Sequence, residues 1–365
     1  MIIHIINRDK FTNGYIRFMI LQFKELDHVF FTNRDAAGLY KIQPDAGCEL
    51  YEIAGISEMV GKDEYLEMCQ KAEKIVISGV FGICDIDGLH SLIEKELLHK
   101  TFFHFWGGDF YCYRERENST KSFVRRFLLF YAFREAAGLI FLIDGEYEKF
   151  KTITGISNRH FVAPMPGAPD NPINFASLRN QFVKNDEAVN IIVGNSATPT
   201  NHHEEVFYML QHHANSNIRI YCPLSYGNVK YGETISELGN KIFGDKFNPI
   251  FDFMERDEYL KFLTKMDIGI FYNDRQQALG NIYFLLRLGK KVFLRTKTSM
   301  WINCLNQGFK VYVADILGNL TLEELAFFEN KDQANNIMLG DTLFLPEKTR
   351  KLWDTVFQSE TCLLD

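Results

Sequence analysis

Short apolar runs alternate along the chain with longer stretches whose apolar positions recur every three or four residues, the signatures of buried strand and amphipathic helix. Strands are predicted at 1–7, 29–32, 49–53, 75–78, 101–106, 139–143 and 161–162, with helices at 15–26, 57–71 and 89–98 between them. Such alternation builds a parallel sheet covered on both faces, whose ligands sit beyond the carboxyl ends of the strands. That rule puts Ser78-Gly79 and Trp106-Gly107-Gly108-Asp109 on one rim. The segment 163–172, APMPGAPDNP, interrupts the pattern; its four prolines forbid helix and most sheet pairing, so a stiff linker is expected. The pattern then restarts, with strands at 188–193, 218–222, 248–251, 268–272, 292–294 and 311–313. Helices are predicted at 204–214, 233–243, 258–265, 278–288 and 300–305, and a last one, 346–358, is expected to cross back onto the first half. The fold class read from this is α/β, with two doubly wound Rossmann-like domains facing each other across a cleft. Their expected bounds are 1–165 and 166–345, with 346–365 as the returning segment.

Composition changes this picture little. The 365 residues suffice for two full cores, and 46% apolar with 24% charged residues is an ordinary globular balance. The 33 Phe and 16 Tyr are an excess that points to extensive aromatic packing. A net charge of −7 argues against a nucleic-acid partner. The 7 cysteines are scattered without a CxxC pair, so neither a zinc knuckle nor a disulfide framework is indicated, and reduced thiols in the cytoplasm are expected. No apolar run approaches the roughly 18 residues of a membrane span, and the N-terminal MIIHIINRDK lacks the basic start of a signal peptide. One stretch departs from the acidic average. In 114–134, predicted as an amphipathic helix, Arg114, Arg116, Lys121, Arg125 and Arg126 are interleaved with Phe123 and Phe127. That mixture suits a helix lying on a membrane surface, and equally a core helix with a charged outer face.

The chemistry concentrates at the predicted strand ends. In 267–291, strand, polar turn, helix and strand follow one another, and such a unit presents free backbone N–H groups at the helix start, where the dipole favours an anion such as a phosphate. Asn273, Arg275, Gln276 and Gln277 in the turn add polar donors, and Gly280 lets a ligand approach the backbone. Gly194-Asn195-Ser196 opens a small polar loop with amides suited to phosphate or sugar oxygens, and Tyr226 stands on the same rim. Neither GxxxxGK[ST] nor GxGxxG occurs there, which disfavours a P-loop and a dinucleotide. In the first half, Asp109 can take a proton from a sugar hydroxyl or cap the following segment, and His104 is a second candidate base or a satisfied strand histidine. Asp85-x-Asp87 is the one DxD; a metal clamp is not required, since Arg275 and helix amides can neutralise a diphosphate. The pairs His202-His203 and His212-His213 read as surface.

His104-x-Trp106-Gly107-x-Asp109, then Val193-Gly194-Asn195-Ser196 with Asn201-His202, then Arg275-Gln276-Gln277-x-x-Gly280 occur here in one order. The set resembles the TDP-N-acetylfucosamine:lipid II N-acetylfucosaminyltransferases (4-alpha-L-fucosyltransferases) of enterobacterial common antigen synthesis. The likeness is good over about 100–310 and a matter of spacing alone before it; Gly108 stands where a small residue such as Ala is expected. The resemblance implies a GT-B glycosyltransferase, peripheral on the cytoplasmic face of the inner membrane. It would move 4-acetamido-4,6-dideoxygalactose from a dTDP donor to a lipid-diphosphate-linked saccharide, with inversion and without a cofactor or metal. On that basis Asp109, less so His104, would be the base, and Arg275 with Gln276–Gly280 would hold the diphosphate. Gly194, Asn195, Ser196, Tyr226 and Asn273 would line the donor pocket, with Glu258 on the ribose. An epimerase of nucleotide sugars on the same frame, or a non-catalytic glycan-assembly protein, are the competing classes.

Overall fold

The computed structural model describes residues 1–35, 38, 40–42, 48–111, 120–170, 172–181 and 187–360. The chain divides into two compact units, Met1–Pro172 with Leu345–Asp365, and Ile173–Phe344. The first unit carries strands β1 (Ile2–Ile6), β2 (His28–Asn33), β3 (Glu49–Ile53), β4 (Lys74–Ser78), β5 (Thr101–Phe105), β6 (Gly138–Phe141) and β7 (His160–Val162). They pair in parallel in the order β3-β2-β1-β4-β5-β6-β7. The second unit carries β8 (Val189–Val193), β9 (Ile218–Pro223), β10 (Phe247–Ile250), β11 (Ile268–Phe271), β12 (Lys291–Leu294) and β13 (Tyr312–Val313), parallel in the order β10-β9-β8-β11-β12-β13. In each sheet the strand order reverses once, between β1 and β4 and between β8 and β11, which opens a crevice at the carboxyl ends of those strands.

Alternate residues of each strand feed opposite faces, and both faces are covered, so the strands read as unbroken apolar runs. In the first unit Ile3, Ile5, Phe31, Ile77, Phe103 and Phe105 pack one face. Ile6, Tyr15, Phe30, Phe102 and Trp353 pack the other. Trp353 lies on the Pro346–Phe357 helix, wholly buried, with its Nε1–H donated to the Pro164 carbonyl at 3.1 Å.

Lysines at the amino ends of strands form a second recurring device. Lys74, Lys100, Lys246, Lys290 and Lys291 each donate to main-chain carbonyls, among them those of Ser359, Ala72, Ala214, Thr264 and Phe327. These cations satisfy carbonyls left open where helices and turns end. Lys290 and Lys291 are therefore at the rim opposite the carboxyl ends.

Four local readings differ. Helix 57–71 is two helices, Ile56–Gly61 and Asp63–Lys71, because Lys62 is extended (φ −100°, ψ 123°). The basic helix runs Thr120–Glu135; residues 112–119, with Arg114 and Arg116, lie outside the described residues. The proline-rich segment is packed rather than a free spacer, since Asp170 pairs with Arg17 and Gly167 and Ala168 lie against Gly14. The unit boundary falls after Pro172 for that reason. Helices Glu146–Thr154 and Asn330–Leu343 are additional to the sequence reading.

Candidate functional site

In the second unit the turns after β8 and β11 flank the sheet reversal and are knitted into one network. Gln277 is its centre. Its Nε2–H donates to Asn195 Oδ1 (2.9 Å), Ser196 Oγ (3.2 Å) and Thr198 Oγ1 (3.2 Å), and its Oε1 accepts from Thr200 Oγ1 at 2.7 Å. Beneath it, Asn201 Nδ2 donates to the Ser196 and Thr198 carbonyls, and Asn201 Oδ1 accepts from the Asn195 amide and from Asn273 Nδ2. Asn195 Nδ2 donates to the Tyr226 hydroxyl at 2.7 Å. The 194–201 loop is thereby fixed against the 273–278 turn and Tyr226.

Gly194 is required by its place. It has φ +68°, and a Cβ there would lie 2.4 Å from His203 Nε2 and 2.9 Å from Asn201 Oδ1. His203 sits under the loop, its Nδ1 3.2 Å from the Tyr231 hydroxyl and its Nε2 without a partner. Burial, then the neighbouring His202, lowers its pKa to about 3, so it is neutral. His203 and His213 are buried, against the surface reading: His203 opens the His203–Leu210 helix and His213 ends the 3₁₀ turn Gln211–His213 that follows it.

The Leu279–Arg287 helix opens from Ala278 in the left-handed region (φ +59°), and no side chain caps it. Its first-turn amides are available to an anion. A Cβ on the exposed Gly280 would meet nothing within 4 Å, so packing does not demand a glycine there. Arg275 stands half-buried at this mouth, with one long contact to the Gln276 carbonyl (3.5 Å). Gln276 itself is 5% exposed, buried beside Gln277, which organises the loop. Glu258 is exposed in the first turn of the Arg256–Thr264 helix. Its neighbour Tyr259 accepts from Asn281 Nδ2 of the Leu279–Arg287 helix at 2.9 Å. Arg295, beyond β12 and 4.7 Å from the Tyr272 ring centroid, is a second cation at this rim that sequence reasoning missed; it looked like an ordinary strand end.

In the first unit the rim turns meet closely. Gly79 (φ +77°) has no room for a Cβ, which would lie 2.9 Å from Asn7 Cβ and 3.2 Å from the Trp106 ring. Asp109, 5% exposed, accepts the Trp106 amide on Oδ2 at 2.5 Å and so closes the HxWGxD turn. His104 is not a base. It is fully buried, Nδ1 pairs with Ser78 Oγ (3.0 Å), Nε2 donates to the Ala163 carbonyl (3.2 Å), and burial lowers its pKa to about 3. Asp85 of the DxD pair caps the Ile86–Glu94 helix, accepting from the Gly88 amide at 2.6 Å, which is a structural use of that carboxylate. On the Thr120–Glu135 helix Lys121, Phe123 and Phe127 are exposed and Arg126 lies over Phe123, whereas Arg125 turns inward and donates to the Cys84 carbonyl at 3.2 Å.

Residues 79–359 match the family model "4-alpha-L-fucosyltransferase glycosyl transferase group 56". The chain belongs to this family. It is accordingly a glycosyltransferase, taking a nucleotide-sugar donor and a glycan acceptor. Solved structures similar to this group 56 chain include the Candida albicans trehalose-6-phosphate phosphatase N-terminal domain (11% identity, TM-score 0.63, 98% of this chain and 96% of that one). The UDP-forming α,α-trehalose-phosphate synthase of Burkholderia vietnamiensis is similar (11%, 0.63, 98% and 98%), as is the sucrose-phosphate synthase of Thermosynechococcus elongatus (11%, 0.63, 98% and 96%). At these identities the likeness shows the fold alone, and that fold is GT-B.

Proposed function

We propose that this group 56 enzyme transfers 4-acetamido-4,6-dideoxygalactose, or a closely related deoxy-amino sugar, from a dTDP donor to a lipid-diphosphate-linked saccharide. The observation that carries the reading is the uncapped amino end of the Leu279–Arg287 helix, with Arg275 at its mouth and open space over Gly280, beside the loop that Gln277 holds. In the reaction an acceptor hydroxyl oxygen attacks the anomeric carbon as the bond to the diphosphate oxygen breaks, giving inversion. The hydroxyl proton passes to Asp109, and the electron pair leaves with dTDP, stabilised by Arg275 and the first-turn amides. Those groups take the charge-neutralising role without a divalent ion. The Thr120–Glu135 helix, with Phe123, Phe127, Lys121 and Arg126 outward, is the surface proposed to rest on the cytoplasmic face of the membrane beside the lipid-linked acceptor.

Thermal denaturation in the presence of dTDP, UDP, GDP or CMP tests the donor. At a hundred times its Kd, dTDP adds about 2.7 kcal/mol to folding stability and raises Tm. A shift by another nucleotide alone, or by none, overturns the reading. Asp109→Asn separates base from turn closure, because asparagine still accepts the Trp106 amide; the folded variant should lose turnover by roughly 10²-fold or more.

A further inference from the structure

We infer that Phe251 and Phe253, with Tyr226, form the shelf on which the donor's nucleobase lies, so that they set nucleotide selectivity; this rests on the donor reading above. The three rings are 47%, 61% and 50% exposed, all in the turns that follow β9 and β10 at the carboxyl rim of the second sheet. Two of the rings, Phe251 and Tyr226, are placed beside the 194–201 loop, and Phe253 follows Phe251 by two residues in the same turn.

On one side, a Cβ on Gly232 would lie 3.6 Å from Phe251 Cε1 and 3.2 Å from Ala197 Cβ, so the Phe251 ring stands one small residue away from the 194–201 loop. On the other, Tyr226 is pinned to the same loop twice, by its hydroxyl on Asn195 Nδ2 (2.7 Å) and by its carbonyl accepting the Ala197 amide (2.8 Å). Tyr226 is thus a ring held rigidly while half its surface faces outward. Asn195 links Tyr226 to the mouth proposed to take the diphosphate, since its Oδ1 accepts from Gln277 in the turn before the Leu279–Arg287 helix at 2.9 Å. A nucleoside diphosphate has just this division, an anionic end and a flat ring, and stacking on aromatic side chains is how proteins hold unpaired bases. An apolar shelf also favours thymine over uracil, since it covers the 5-methyl group, by about 3–4-fold.

Calorimetric titration of the full chain with dTDP, dUDP and inorganic pyrophosphate tests this. Phe253→Ala, chosen because that ring is largely exposed, should raise the Kd for dTDP about 10-fold or more and bring dTDP and dUDP together, while pyrophosphate affinity stays at the wild-type value. Phe251→Leu keeps an apolar side chain against Gly232 and should show the same loss. If both folded variants bind dTDP as wild type does, the shelf is refuted and the diphosphate site stands. If wild type binds pyrophosphate but not dTDP, the donor reading itself fails.

Discussion

Gln277 offers a way to separate the architecture of the donor site from its charge. Gln277→Ala deletes four hydrogen bonds, each with a net value of about 0.5–1.5 kcal/mol. Ser196, Thr198 and Asn201 already bond one another, so the freed groups can turn to each other or to water. The expected loss is about 1–3 kcal/mol, or roughly 3–10 °C in the Tm of the second unit. Gln277→Glu also loses three donated bonds, but its carboxylate keeps the Thr200 hydroxyl and gains about 0.3–1 kcal/mol from the helix dipole. Its stability should therefore equal or exceed that of the alanine variant. Donor binding should go the opposite way. A unit negative charge about 6 Å from each of two diphosphate charges, at an effective dielectric near 40, adds about 3 kcal/mol of repulsion, a roughly 10²-fold weaker dTDP complex. Urea denaturation and calorimetric titration of both variants in low salt provide the two numbers. If Gln277→Glu binds dTDP as well as Gln277→Ala does, no anion comes near this helix end and the phosphate assignment is wrong.

Two glycines should respond in opposite senses. Gly194→Ala, with its Cβ driven into His203 at a left-handed φ, should cost about 2–4 kcal/mol in urea denaturation. Gly280→Ala meets nothing and should stabilise the helix by up to about 1 kcal/mol, yet raise the donor KM if backbone approach matters. Acid should unfold the protein through its neutral histidines. His104 and His203 have folded pKa values near 3 against an ordinary 6.5, so the stability they contribute is complete above pH 6.5 and is lost as pH falls towards 3. Tm measured between pH 7 and 4 should fall, and His203→Gln should flatten part of that fall. Arg275→Ala should lower kcat/KM by about 10²-fold or more with a nearly unchanged urea midpoint, because its hydrogen bond to the Gln276 carbonyl is long, 3.5 Å.

Strand positions and the two polar turns after β8 and β11 were legible because both rest on local signals. Buried parallel strands must be apolar throughout, and a helix that opens after a polar turn shows in the residues of that turn. The Asn330–Leu343 helix was not legible, since its sequence lacks an apolar stripe. It is held by tertiary contacts instead: Asn336 exchanges two bonds with the Lys310 backbone, and Gly340 lies against Arg287. His104 stayed open between base and satisfied strand histidine for a related reason. A histidine inside an apolar run looks the same whether its partners are a serine and a carbonyl far along the chain or a substrate. Gln276 and Gln277 are adjacent and chemically identical, and only the φ of Ala278 and the path of the turn decide which one faces the loop.

The last helix has a bearing on how the molecule is made. Trp353 sits between Tyr15 and His104, 5.6 and 5.2 Å away between ring centroids, so the N-terminal sheet lacks a central wedge until that residue has been synthesised. The second unit, Ile173–Phe344, is one contiguous stretch, whereas the first needs residues from both before and after it. The half that is translated first is thus the half that matures last, and a nascent chain halted before residue 345 should expose the aromatic seat of Trp353 to chaperones.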